Sequence, residues 1–136
     1  MEINYTKEET LKLLEEYYRR LEQREVKASI TAKKGLVGLY EEEGCITTIA
    51  VTEKMEIAGM TKEVKETISE HELKTKLKAL FALYDFELKS VTLNDGINSR
   101  YEGYGMAEQE VKSAYFKGIT VNLGRKKNQV YTMTGK

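Results

Sequence analysis

Cys45-Ile46-Thr47-Thr48-Ile49-Ala50-Val51-Thr52-Glu53-Lys54-Met55-Glu56-Ile57-Ala58-Gly59-Met60-Thr61-Lys62-Glu63-Val64-Lys65-Glu66-Thr67-Ile68 is the stretch on which the fold turns. Cys45, Thr47, Ile49, Val51, Met55 and Ile57 share one parity, with only Glu53 interrupting. A period of two places alternate side chains on one face of a strand. Ala58-Gly59 breaks the run, and Met60, Val64 and Ile68 then take the other parity. That pattern predicts a long hairpin turning near Gly59.

Both flanks support a sheet protein with two helices. After the hairpin, Ser69-Glu70-His71-Glu72 is a capping box, in which hydroxyl and carboxylate satisfy each other's backbone amides. Leu73, Leu77, Leu80, Phe81 and Tyr84 then recur at helical spacing, predicting a helix from Glu70 to Tyr84 that covers the sheet. Before the hairpin, Val26, Ala28, Ile30 and Ala32 alternate with Lys27, Ser29, Thr31 and Lys33. They predict a strand, followed by Leu36 to Tyr40 and an acidic turn at Glu41–Gly44. Further back, Thr6-Lys7-Glu8-Glu9 is another capping box, and Leu11, Leu14, Tyr18 and Leu21 mark a helix from Lys7 to about Arg24. Beyond the second helix, Phe86–Leu93 and Ala114–Leu123 read as strands. Residues 106–112 are polar and carry no clear period.

The expected class is α+β, in the order α-β-β-β-α-β-β, with an antiparallel or mixed sheet and both helices packed on it. Residues 1–136 suffice for one domain with a real core, and no internal repeat or linker is evident. The expected core sets Leu73, Leu77, Leu80 and Phe81 against Ile49, Val51 and Ile57.

Composition narrows the functional classes. Lys+Arg and Asp+Glu are both 22, so bulk attraction to nucleic acid is not expected. The longest apolar run, Ala79–Tyr84, is too short to span a bilayer, and the N-terminus lacks a signal-peptide pattern. Cys45 is the single cysteine, which excludes an internal disulfide. These features point to a cytoplasmic setting. Walker-type phosphate loops and Gly-x-Ser-x-Gly are absent. His71 stands alone, without the cysteines or second histidine of a zinc site. No acid–base pair stands out, so neither catalytic residues, nor metal ligands, nor cofactors are expected.

A binding constellation remains. Asn94-Asp95-Gly96-Ile97-Asn98-Ser99-Arg100-Tyr101-Glu102-Gly103-Tyr104-Gly105 reads as a glycine-rich polar loop. Asn94, Asn98, Arg100, Tyr101 and Tyr104 offer hydrogen bonds and stacking faces. Arg125, Lys126 and Lys127 follow the last strand, and arginine suits bidentate phosphate recognition. Pairing of the last two strands would place Arg125 at the end away from the loop. A common site then needs a folded-back tail or a second subunit, the simplest being a symmetric homodimer.

The order of elements, this polar loop and the short polar C-terminal extension together resemble the phage anti-Thoeris sponge family. Its members sequester cyclic ADP-ribose-type signals made by bacterial TIR enzymes. The resemblance implies a non-enzymatic binder, acting in the host cytoplasm, that closes a loop and tail over a nucleotide-like ligand. Two alternatives stand beside it: an inhibitor acting by protein–protein contact, and an oligomeric structural protein.

Overall fold

Two three-stranded antiparallel sheets and two helices make up this computed structural model, which describes residues 1–37, 42–103, 105 and 109–125. The side chains of 35–37, 42–45, 99–102 and 109–112 lie outside the described set, so the placement of the Cys45 thiol does too. The order is β1 (Glu2–Thr6), α1 (Lys7–Tyr17), β2 (Lys27–Val37), β3 (Glu42–Ile57), β4 (Met60–Ile68), α2 (Glu70–Ala82), β5 (Phe86–Glu102) and β6 (Gln109–Arg125). From α1 onward this is the order expected, and the fold is α+β. One sheet runs β1-β6-β5 and the other β2-β3-β4.

Local chemistry accounts for the helices. Both capping boxes are formed: Thr6 accepts from the amide of Glu9, and Ser69 accepts from that of Glu72. Each glutamate reaches back to the cap amide. The first helix ends differently from expectation. α1 stops at Tyr17, and Tyr18–Glu22 form a π-helical turn closed by Gln23 in the left-handed region. The hairpin expected at Gly59 is present, with Ile57 opposite Met60 and positive φ at both Ala58 and Gly59. Two positive φ values match the twist of flanking strands.

The core joins both sheets to both helices. Leu14 and Tyr18 from the first helical segment meet Leu73, Leu77, Leu80 and Phe81 of α2. Ile30, Ile49 and Val51 come from one sheet, Ile119, Val121 and Leu123 from the other. Ile57 departs from the expected core and is 51% exposed. The β3–β4 ladder runs from the buried Ile49–Ile68 rung out to the turn, and at that far end Met55, Ile57 and Met60 are all exposed. Strict alternation reports which face a side chain takes, and says nothing about whether a helix covers that face. Tyr84, expected on the stripe of α2, lies past its end, where its hydroxyl accepts from Arg20.

Two further departures concern long-range order. β1 was not legible, because five residues of mixed polarity become a strand only by pairing with β6, Tyr5 opposite Ile119. The topology also repeats. Strand, capping box, helix and two strands occur twice, as β1-α1-β2-β3 and β4-α2-β5-β6. The spacing from Thr6 to Ser69 also carries Thr10 to Leu73, Leu14 to Leu77 and Tyr18 to Phe81, and the six residues after the caps are all buried. Exchanging the halves maps β1-β6-β5 onto β4-β3-β2. The expectation of no repeat is corrected at the level of topology: apolar volume recurs, residue identity does not.

Candidate functional site

The expected polar loop is largely strand. β5 continues through Asn94 to Glu102 and pairs with β6, Asn98 opposite Ser113 and Arg100 opposite Val111. The polar ribbon is stabilised by the backbone ladder and by Tyr115. Its ring lies over Gly96, so close that a Cβ there would sit 2.6 Å from the phenolic oxygen. Residues 106–112, without period in the sequence, include the start of β6. A ladder supplied by a partner strand overrides weak local strand propensity.

At Asn94/Asp95 the register shifts. Asn94 faces Gly118, Asp95 faces Phe116, and Lys117 is left over as a bulge. Beside this bulge lies an open groove of about 610 Å³, lined by Asn4, Tyr5 and Thr6 of β1, Leu93, Asn94 and Asp95 of β5, and Lys117 and Gly118 of β6. Bulges re-aim side chains and often border sites. Here the polar groups are partly engaged. The Asn94 amide donates to Thr120 Oγ1 at 2.9 Å, and that hydroxyl donates to Asn4 Oδ1 at 2.7 Å. Thr47 of the other sheet donates to the Asp95 carboxylate, at 3.2 and 3.3 Å to its two oxygens. Lys117 is exposed and brings a positive charge to the groove.

The seven expected ligand-binding residues fare unequally. Asn94 lines the groove, and Asn98 is exposed further along β5. Arg100 and Tyr101 lie still further along β5, their side chains outside the described set. Tyr104 and Lys126, the tail at Val130–Met133 included, fall outside the described residues. Arg125 is exposed at the end of β6, opposite Phe86. With Arg100 opposite Val111, the two arginines stand at opposite ends of the ribbon, roughly 45 Å apart at about 3.3 Å per residue. One chain does not bring them together, as strand pairing required. The groove's other contributors, Asn4 and Lys117, escaped sequence reasoning because β1 and the bulge exist only through pairing with β6.

A second polar cluster sits where the π-helical turn after α1 ends. Arg24 clasps Glu53 through Nη2 at 2.6 Å and Nε at 3.1 Å, and donates to Glu22 at 2.8 Å. Hydrogen bonds from Arg24 hold the Glu53 carboxyl below its usual range. Burial alone would raise Glu22, but hydrogen bonds from Tyr17 and Arg24 and the charges of Lys76 and Arg24 outweigh it. Arg24 also lies over the Tyr18 ring at 5.1 Å, and Lys76 Nζ stands 5.0 Å from the same ring. Tyr18 is fully buried, and its hydroxyl has no hydrogen-bond partner among the described residues. Burial pushes its pKa up to about 12, with Glu66 and Glu22 adding to the effect. A hollow of about 400 Å³ adjoins, lined by Arg24, Val51, Glu53, Met55, Val64 and Glu66. Glu53, the one charged residue in the parity that runs from Cys45 to Ile57, is the sequence signal for this clasp. Bidentate pairing of this kind positions elements, here the chain just after the π-helical turn against β3.

His71 is exposed in the first turn of α2. Among the described residues no group of three His, Cys, Asp or Glu side chains can hold a metal ion, and no helix is long and apolar enough to cross a membrane. No family profile, curated protein or solved structure matches the chain.

Proposed function

We propose that this is a non-enzymatic binding protein that sequesters a small nucleotide-like signal, as the anti-Thoeris sponges it resembles do, and so blocks a bacterial defence system. The observation that supports this reading is the groove beside the Asn94–Lys117 bulge. Its volume, about 610 Å³, lies in the range of small-ligand sites. Lys117 offers a cation to a phosphate, Asn94 and Asn4 offer amide groups to a sugar or base, and Tyr5 and Leu93 supply apolar wall. Exposed Asn98 extends the polar row along β5.

Thermal unfolding with and without cyclic ADP-ribose isomers tests it. A ligand bound only by the folded state raises the melting temperature by mass action. Calorimetry on Lys117→Ala should then show about a ten- to hundred-fold loss of affinity, the usual consequence of removing one charged hydrogen-bond partner. Arg100→Ala and Arg125→Ala report whether the ribbon's ends contribute. Ligand recovered after denaturation should be chemically intact. No melting shift with any isomer at millimolar concentration refutes the reading.

One observation favours an inhibitor acting by protein–protein contact. Met55, Ile57 and Met60 are exposed together at the tip of the β3–β4 hairpin. Clustered apolar exposure marks interaction surfaces. A stable complex with a defence protein, formed without any small ligand, would decide for that alternative.

A further inference from the structure

β4 is the last strand of its sheet, and β3 is its only strand neighbour among the described residues. Alternate backbone N–H and C=O groups along its nine residues therefore face outward without a ladder partner. β2, the opposite edge of the same sheet, carries Lys27, Lys33 and Lys34 and no acid. A strand of one sign repels its own copy. β4 is built differently: Met60-Thr61-Lys62-Glu63-Val64-Lys65-Glu66-Thr67-Ile68 has charges of both signs, arranged symmetrically about Val64 with the sign inverted.

We propose that β4 pairs antiparallel with β4 of a second copy of this chain, about a two-fold axis at Val64, merging two three-stranded sheets into one of six. In a symmetric antiparallel pair one residue faces its own copy, and neighbours on either side face each other. With Val64 on the axis, Glu63 opposes Lys65 of the second copy and Lys62 opposes Glu66. Symmetry doubles both pairs, so all four charges of each strand face an opposite charge. Thr61 meets Thr67, and Met60 meets Ile68. Cross-strand pairs of opposite charge stabilise a sheet, and like charges directly opposite destabilise it. The adjacent symmetric registers fail this test. Centring on Glu63 sets Glu63 against Glu63, and centring on Lys65 sets Lys65 against Lys65.

The same register reaches the exposed hairpin tip through Met60. Met60 shares its face with Val64 and with buried Ile68. Met55 and Ile57 pair with Lys62 and Met60 and so lie on that face too. The three are 43%, 51% and 57% exposed in the single chain. In the pairing Met60 stands opposite Ile68 of the second copy, and Met55 and Ile57, on β3, lie one strand further from it. The groove at the bulge belongs to the other sheet, so the pairing stands independently of any ligand.

The test exploits charge sign. Lys62→Glu/Lys65→Glu gives a strand with only acids, and Glu63→Lys/Glu66→Lys gives one with only bases. Both change exposed positions, and circular dichroism melts confirm that each variant folds. Sedimentation equilibrium at rising concentration should drive the wild type toward twice 15.6 kDa. Each single-sign variant should dissociate about tenfold or more readily. An equimolar mixture of the two should restore the dimer, because every pair is again of opposite sign. A wild type that stays at 15.6 kDa at the highest soluble concentration overturns the proposal. So does a single-sign variant that dimerises as the wild type does, or a mixture that fails to associate.

Discussion

Gly118→Ala is the sharpest test of how the two halves of the β1-β6-β5 sheet meet. Gly118 has φ +147 and faces Thr6 across the β1–β6 ladder. A Cβ built there falls on the carbonyl oxygen of Tyr5 and 3.0 Å from both C and Cα of Thr6. These are backbone atoms, so no side-chain rotation relieves the overlap. Two contributions follow. A non-glycine residue in a sparsely populated backbone region costs of order 1–3 kcal/mol. Moving β1 away also breaks one or two ladder hydrogen bonds, each worth about 0.5–1.5 kcal/mol net. The expected loss is about 1.5–6 kcal/mol. Gly59→Ala is the control, because Gly59 has φ +78 but nothing within 4 Å of its Cβ position. Only left-handed strain applies there, roughly 1–2 kcal/mol. Urea unfolding of both variants, with m-values compared to exclude changes in the denatured state, gives the two numbers. Thr6 also caps α1, so displaced β1 should reduce helical circular dichroism in Gly118→Ala and leave Gly59→Ala unchanged. A Gly118→Ala cost no larger than that of Gly59→Ala would refute the close approach of β1 to β6.

Other perturbations probe the core, the buried Tyr18 phenol and the clasp. Leu77→Ala removes a fully buried side chain and should cost roughly 2–5 kcal/mol by denaturant unfolding, whereas a change under about 0.5 kcal/mol would place α2's stripe in solvent. Tyr18→Phe deletes a buried hydroxyl that has no partner among the described residues and should be neutral or stabilising by up to about 1 kcal/mol; a clear loss of stability would mean that the hydroxyl is satisfied. Glu53 has its pKa held below the ordinary 4.5 by Arg24, so its stabilising contribution is present above pH 4.5 and is lost as pH falls through the lower folded value. Glu53→Gln should flatten the acid limb of a melting-temperature profile, and an unchanged limb would show that the clasp contributes nothing there.

Residues near one another in the chain determined the helices, their starts and the central hairpin. Thr6 with Glu9, Ser69 with Glu72, and the leucine stripes act within one or two helical turns, so spacing alone exposes them. The turn at Ala58-Gly59 and the alternation of β3 are equally local. Glu53 was visible as an anomaly in that alternation, and its partner Arg24 was not. Tertiary structure decided everything that depends on which strand lies beside which. The pairing of β1 with β6, the extension of β5 through Asn94–Glu102, and the bulge that exposes Lys117 arise from contacts between segments far apart in sequence. A strand's hydrogen bonds lie outside itself, so a polar, glycine-containing stretch becomes strand or loop according to its neighbour. The groove shows the consequence. Asn94 stood out in the sequence for its setting, but its bond to Thr120, and Thr120's to Asn4, require β1, β5 and β6 to be assembled side by side. Helical order is a property of the segment, whereas sheet order and the groove built on it are properties of the assembled chain.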